Sequence, residues 1–333
     1  MEDLLRTLTA AAGVSGREED AAETAARLLR QHCGDVRRDA LGSVVGTRPG
    51  RGPRILLDAH LDQIGMAVVG HEPGGFLRVA PCGGMDARCV AAQSVIIHGR
   101  RDFRGIIPAA PPHLKHDGEK SPEWNDILID TGLSDAAAEI PLGSRVSLCA
   151  PPRRLLGERF TAPSLDDRTG VAAILRCLEL LGDKPACPLA VQLSVQEEVG
   201  GAGARAAAFR AEADEALVVD VSFAWAPGAA REEAQGTLGG GVMIGVSPTL
   251  DETMSEALEA LARRNNIPYT IEVMSGRTGT NADRIQQSGP ALPCALLSIP
   301  LRNMHTAGEI VDLRDIESTA RLMAAYLTER GTA

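Results

Sequence analysis

The stretch Leu189–Gly203, LAVQLSVQEEVGGAG, constrains this chain more than any other. Its first half is a short apolar run rich in Leu and Val, preceded by Pro188 and followed by glycines. That pattern predicts a buried strand that ends in a turn. Two adjacent acids, Glu197 and Glu198, stand at its C-terminal end. Neighbours on a strand point to opposite sides, so two acids there can serve two tasks, one holding a group and one moving protons. In an open α/β sheet the carboxyl ends of the strands are where ligands bind.

Similar short apolar runs recur. Ile55–Leu57 begins a strand that ends in DAHLDQIG, with His60 and Asp62 two apart and therefore on one face. An Asp beside a His can fix the ring in one tautomer while its other nitrogen binds a metal. Ala216–Val219 runs into Asp220, and Ala295–Ile299 runs toward His305. Helical spacing marks residues 2–12, 19–33, 171–181, 204–210, 251–265 and 313–328, with Ser15 placed to cap the second helix. Asp166 and Asp167 precede the third of these, where acids complement a helix N-terminus. Helices alternating with buried strands predict an α/β fold with a layered sheet.

From Val69 to Gly157 the texture differs. Short β-rich runs (Phe76–Ala80, Ser94–His98, Arg104–Pro108, Asp126–Ile129, Arg145–Cys149) are punctuated by Gly and Pro, which predicts a small β-barrel. Residues 1–68 and 158–333 then form the two parts of one catalytic domain, and 69–157 an inserted β-rich unit. Pro111–Lys120 reads as an exposed loop, and His71, His98, His113 and His116 as surface or structural. Gly239–Gly241 lacks the spacing of a phosphate loop and reads as a tight turn.

With 34 basic against 44 acidic residues the chain carries a net charge of −10, which argues against nucleic acid or an anionic membrane as partner. No apolar run reaches the ~18 residues of a membrane span. The N-terminal MEDLLRTLTAAAG lacks the basic and apolar regions of a signal peptide. Seven scattered cysteines without a CxxC fit a reducing cytoplasm.

Polar groups at strand ends and loop mouths now form a set: His60 with Asp62, Asp166, Glu197 with Glu198, Asp220, and His305. Imidazoles and carboxylates without sulfur suit Zn, Co or Mn. Two cations that each take one His and one terminal carboxylate need a shared carboxylate between them, and such a pair activates water and polarises a carbonyl.

The ordered series AAGVSGREED, DAHLDQIGM, VAPCGG, SLDDRTG, VQEEVGGAGA, VVDVS, LGGG, RTGTNADRIQ and LRNMHT resembles the TET and glutamyl aminopeptidase family of dinuclear-metal aminopeptidases, some of whose members have carried an endoglucanase label. The resemblance implies a three-layer α/β/α zinc-peptidase-like domain with an inserted, PDZ-like barrel that helps assembly. It implies one metal on His60, Asp166 and Asp220 and a second on Asp166, Glu198 and His305, with Asp166 bridging. Glu197 becomes the general base that takes a proton from the attacking water and passes it to the leaving amine, and Asp62 orients His60. Peptides are the implied substrates and a hollow cytoplasmic homododecamer the implied assembly. Gln63 and Asn281 stand where many relatives have acids, and LRNMHT where TRYIHS is common, so the substrate pocket is expected to differ there. Arg277 and Arg302 are candidate substrate-facing cations. Two other activities compete. A deacylase of N-acylated amino acids needs the same metal core. A glycoside hydrolase needs two carboxylates and usually an aromatic platform, for which only nine aromatic residues serve.

Overall fold

The computed structural model describes residues 1–109, 111, 113, 121–184 and 186–332. The loop expected at 111–120, His116 included, lies outside the described residues apart from positions 111 and 113.

The first helices, α1 (Glu2–Ala10) and α2 (Glu19–Leu29), are shorter than their periodicity suggests. Ser15 does not cap α2; Glu18 precedes that helix, and the Ser15 hydroxyl donates to Asp62 Oδ2 at 2.7 Å. An N-cap signal in sequence is thus a buried link to a distant strand end.

Eight strands form the main sheet: β1 (Gly34–Arg38), β2 (Val44–Arg48), β3 (Ile55–His60), β12 (Leu189–Ser194), β13 (Glu215–Phe223), β14 (Val242–Val246), β15 (Tyr269–Val273) and β16 (Cys294–Leu301). Their spatial order is β1-β2-β12-β3-β13-β16-β14-β15. The centre, β12-β3-β13-β16, is parallel, while β2 and β14 flank it, pairing antiparallel with β12 and β16. Strands buried on both faces need cover on both sides. On one side, Leu57, Val191, Leu217 and Leu297 pack with α1, α2, α3 (Leu165–Leu181), α5 (Glu252–Arg264) and α7 (Leu313–Arg330). On the other, Leu56, Ala190, Val218 and Leu296 pack with α4 (Ala202–Ala211) and the short α6 (Ala282–Ile285). Alternate residues of the same strands feed the two cores, which makes the three-layer α/β/α arrangement.

Between β3 and α3 the chain builds a closed six-stranded barrel from β4 (Gly65–Glu72), β5 (Phe76–Cys82), β6 (Ser94–His98), β7 (Asp102–Ile106), β8 (Leu128–Asp130) and β9 (Arg145–Leu148). Alternation drives it: on β7 only Phe103 and Gly105 turn inward. Closure leaves no free strand edge. The barrel has its own core, in which Met66, Leu77, Val95, Ile97, Ile129 and Val146 meet. His71 and His98 are structural, bonded to Ile140 O and to Asp102 with Ser147.

A small sheet, β10 (Arg153–Arg154), β11 (Arg159–Ala162) and β17 (Glu309–Asp312), completes the fold. Its β11–β17 pairing sets Ala162 opposite Glu309 and so draws the chain before Asp166 against the chain after His305.

Candidate active site

Parallel register assembles the cleft. Ser194 lies opposite His60, and the pairing of Val218 with Asp58 puts Asp220 level with His60 two residues on. His60 is the last residue of β3 and is buried, as is Asp220. His60 Nε2 lies 3.0 Å from Asp166 Oδ1 and 3.8 Å from Asp220 Oδ1. Its Nδ1 faces the Asp62 carbonyl at 3.1 Å and Asp62 Oδ1 at 3.4 Å.

Asp62 does more than orient that ring. Its carboxylate accepts the backbone N–H of Glu197 at 2.9 Å and of Glu198 at 3.2 Å, besides the Ser15 hydroxyl. The Glu pair does not sit on β12, as the alternation argument assumed. The strand ends at Ser194, Gln196 takes a positive φ of 62°, and the acids occupy the following turn. Both acids then border one cavity instead of pointing to opposite faces.

Asp166 and Asp167 also depart from simple capping. Both have non-helical backbone angles, and the peptide bond between them is cis. Asp167 Oδ1 accepts the Gly170 N–H at 2.9 Å, a capping bond, while its buried Oδ2 has no partner. Asp166 points the other way, with Oδ2 at 3.3 Å from His305 Nε2. Glu198 Oε2 approaches the same nitrogen at 3.4 Å, and its buried Oε1 is unpartnered. Two clusters with metal-ligating donors result: Asp166, Glu198 and His305, and His60, Asp220 and Asp167. Asp167 was not among the expected ligands, although Asp166 is the carboxylate hydrogen-bonded to His60.

Glu309 is a further residue that carried no sequence signal. Fully buried, it accepts the Asp166 N–H at 3.2 Å and the His305 N–H at 2.9 Å, tying the segments that carry these two residues together. Arg168 is also fully buried. It donates to the carbonyls of Leu61 (2.7 Å) and Leu8 (2.6 Å), locking the strand end between His60 and Asp62 to α1.

The electrostatics are those of too many acids in one dry place. Burial pushes the Glu197 carboxyl up to about 7, with His60 opposing and the charge of Glu198 adding. Burial likewise raises Glu198, and raises Asp167 and Asp220 well above the carboxylate range, reinforced by the charge of Asp166 on Asp167 and of Asp167 on Asp220. Burial would depress the imidazoles, but hydrogen bonds to Asp166, with Asp62 at His60 and Glu198 at His305, and the charges of the surrounding acids together outweigh it. His60 rises well above its usual value and His305 to about 11. Asp166 falls well below the usual range, since its bonds to His305 and His60 outweigh burial.

The cleft opens into a cavity of about 620 Å³, whose wall also includes Phe223, Arg277, Thr278, Arg284 and Met304. Arg302 is not part of that wall; its Nε donates to the Trp225 carbonyl at 2.8 Å. Gln63, Asn281 and Leu301 are buried outside the wall too. Asn281 bonds Asp58 and Ser194 at 2.8 Å each, so its amide ties the 277–284 loop to β3 and β12 instead of shaping the substrate pocket.

Known proteins share both the sequence and the fold. The sequence model of the M42 glutamyl aminopeptidase family matches residues 42–322. The chain is 31% identical to a lysyl aminopeptidase of Pyrococcus furiosus, over 98% of this chain and 96% of that protein. Its structure is similar to that of aminopeptidase APDkam598 from Desulfurococcus kamchatkensis, with a TM-score of 0.92, 33% identity and coverage of 98% and 94% of the two chains. It is also similar to the Pyrococcus horikoshii TET1 peptidase, which assembles into a tetrahedron or a large octahedral shell (TM-score 0.85, 27% identity, coverage 98% and 99%). A hydrolytic cleft on this fold, with a family match through the barrel and both halves of the sheet, settles the class: the chain belongs to the M42 glutamyl aminopeptidase family and is an aminopeptidase.

Proposed function

We propose that this aminopeptidase removes single residues from the free N-termini of peptides with two divalent cations, Zn, Co or Mn, held in the cleft. The position of Asp166 carries the reading: it turns Oδ1 to His60 at 3.0 Å and Oδ2 to His305 at 3.3 Å. A carboxylate that offers one oxygen beside each of two imidazoles is arranged as a shared ligand. His60, Asp166 and Asp220 would hold one cation and Asp166, Glu198 and His305 the other, with Asp167 adding charge beside the first.

The residues fit such ions. The donors are nitrogen and oxygen without sulfur. Two buried carboxylate oxygens, on Asp167 and Glu198, have no partner. The acids that crowding holds protonated would ionise beside a cation. When bound, a cation pair lowers the pKa of water and polarises a carbonyl.

The chain's own groups do the remainder. Asp62 fixes the turn that carries Glu197 through its backbone N–H. Glu197, raised toward neutrality by burial, takes the proton of the attacking water and returns it to the leaving amine. A free α-amino group finds negative charge beside Asp166 and Glu198, which an acylated nitrogen cannot use, so the deacylase reading is the weaker one. The glycoside-hydrolase reading is weaker still, since Phe223 is the one aromatic residue among the described residues of the cavity wall. We further read the chain as a cytoplasmic homo-oligomer of twelve copies, supported by seven free cysteines and by whole-chain likeness to a shell-forming peptidase.

The test is hydrolysis of free and N-blocked amino-acid p-nitroanilides by metal-stripped protein, with Zn, Co or Mn returned. The expected result is metal-restored release from free substrates alone. Full turnover in excess chelator overturns the two-cation reading, and release from blocked substrates alone reinstates the deacylase.

A further inference from the structure

Among the described residues, the inserted segment reaches the cavity wall at Gly84. After β5 the chain passes through Gly83 and Gly84, and the Gly84 carbonyl lies 2.8 Å from His305 Nδ1. The ring is held at that edge while its Nε2 faces Asp166 and Glu198. Neither glycine has room for a side chain. A Cβ on Gly84 would stand 2.9 Å from His305 Nδ1 and Cε1, and one on Gly83 would stand 3.1 Å from Glu198 Oε2. The loop that bears His305 is itself seated on both bodies: Met304 packs against the core of the main sheet, and Ala307 packs against the core of the barrel.

From this geometry we infer that the inserted barrel is part of the catalytic apparatus, with Gly84 a positioning residue that sets the tautomer and the angle of His305. The inference rests on the proposed reading of His305 as a cation ligand. The physical argument is that a neutral imidazole presents a lone pair at one nitrogen only when the proton sits on the other. A backbone carbonyl facing Nδ1 accepts a hydrogen bond from its N–H and leaves Nε2 bare for the cation. A carbonyl is a fixed acceptor that never donates, so Gly84 holds this tautomer wherever the barrel stays docked. The absence of a Cβ at residues 83 and 84 lets the barrel backbone come close enough to do so.

Gly84→Ala tests this directly. Gly84 has no positive φ, so alanine strains no backbone there, and the new methyl acts on the ring. Cations per chain and their affinities are measured by titration calorimetry on metal-free protein with Zn or Co. The expected result is a loss of tenfold or more in affinity for one cation of the two, with the other unchanged. Gly70→Ala, on the same barrel, would make only ordinary contacts with Arg78 and is expected to bind as wild type does. Wild-type affinity for both cations in Gly84→Ala overturns the inference. His305→Ala separates the two failures: retention of both cations there sinks the ligand reading itself, and the inference with it. A readout that does not depend on the variant folding is solid-state ¹⁵N spectroscopy of the histidine-labelled, metal-loaded wild type. The His305 signal should report a proton on Nδ1, and a proton on Nε2 would refute the positioning role.

Discussion

At the residue scale the proposed reading separates groups that hold cations from a group that moves protons, and single substitutions distinguish them. Glu197→Gln preserves shape and removes the basic oxygen. It is expected to retain both cations and to lower kcat by about 10²–10⁴-fold, the usual contribution of a general base. Asp166→Ala removes the shared carboxylate and should lose cations and turnover together. Metal analysis beside kinetics decides, and equal metal loss in the two variants would sink the division of roles. Arg168 illustrates the supporting layer. Its guanidinium is fully buried and holds the Leu61 and Leu8 carbonyls. Arg168→Met keeps most of the volume but leaves the Leu61 carbonyl unsatisfied and the Leu8 carbonyl with only the Ala11 N–H at 3.3 Å. A loss on the order of 3 kcal/mol in urea unfolding is expected from buried polar groups left unpaired.

At the element scale, α7 begins with a clamp on the glycine turn. Asp315 is buried and accepts the Gly239 and Gly241 N–H groups at 2.8 Å each. Gly241 needs to be glycine, with φ at 96° and no space for a Cβ beside Pro268. The turn therefore serves sheet packing, in line with its lack of phosphate-loop spacing. Burial raises the Asp315 carboxyl from 3.8 to about 7. Between those values the folded chain binds a proton that the unfolded chain has released, so this group's contribution to stability falls as pH rises and its loss is complete above about 7. Wild type should thus lose melting temperature relative to Asp315→Asn between pH 5 and pH 8. A difference that stays constant across that range, followed by differential scanning calorimetry, would contradict the assignment.

Across the whole molecule, ions that bind only the folded cleft should stabilise the entire chain by mass action. Chelation is expected to lower the melting temperature, and added Zn, Co or Mn to raise it with increasing concentration. An unchanged melting temperature on stripping would mean that no cation binds the fold. Light scattering at micromolar concentration is expected to give the mass of twelve chains, and a monomer would discard the proposed assembly.

Much of this was legible in the sequence because it is local. Short β-rich runs punctuated by Gly and Pro marked the barrel strands, and apolar runs marked β3, β12, β13 and β16. The turn after β12 was less legible, because a positive φ at Gln196 swings both glutamates to one side and no strand rule anticipates it. Ser15 was misread for the same kind of reason, its hydroxyl answering to Asp62 across 47 positions of chain. Asp167 was visible as half of an acidic pair, but its unpartnered oxygen was not. Glu309 gave no signal at all, and Gly84 stood only inside the VAPCGG motif, with no role read for it. The sequence by itself determined the main helices, the central strands and the barrel, and which donor types stand at their ends, since propensity and periodicity act within a few residues; the short strands β1, β2, β10, β11 and β17 carried no such signal. Only the tertiary structure decided which donors meet. That convergence depends on the strand order β12-β3-β13-β16, on the β11–β17 pairing and on a barrel docked beside His305. Those contacts join residues far apart in the chain, and no local window of sequence contains them.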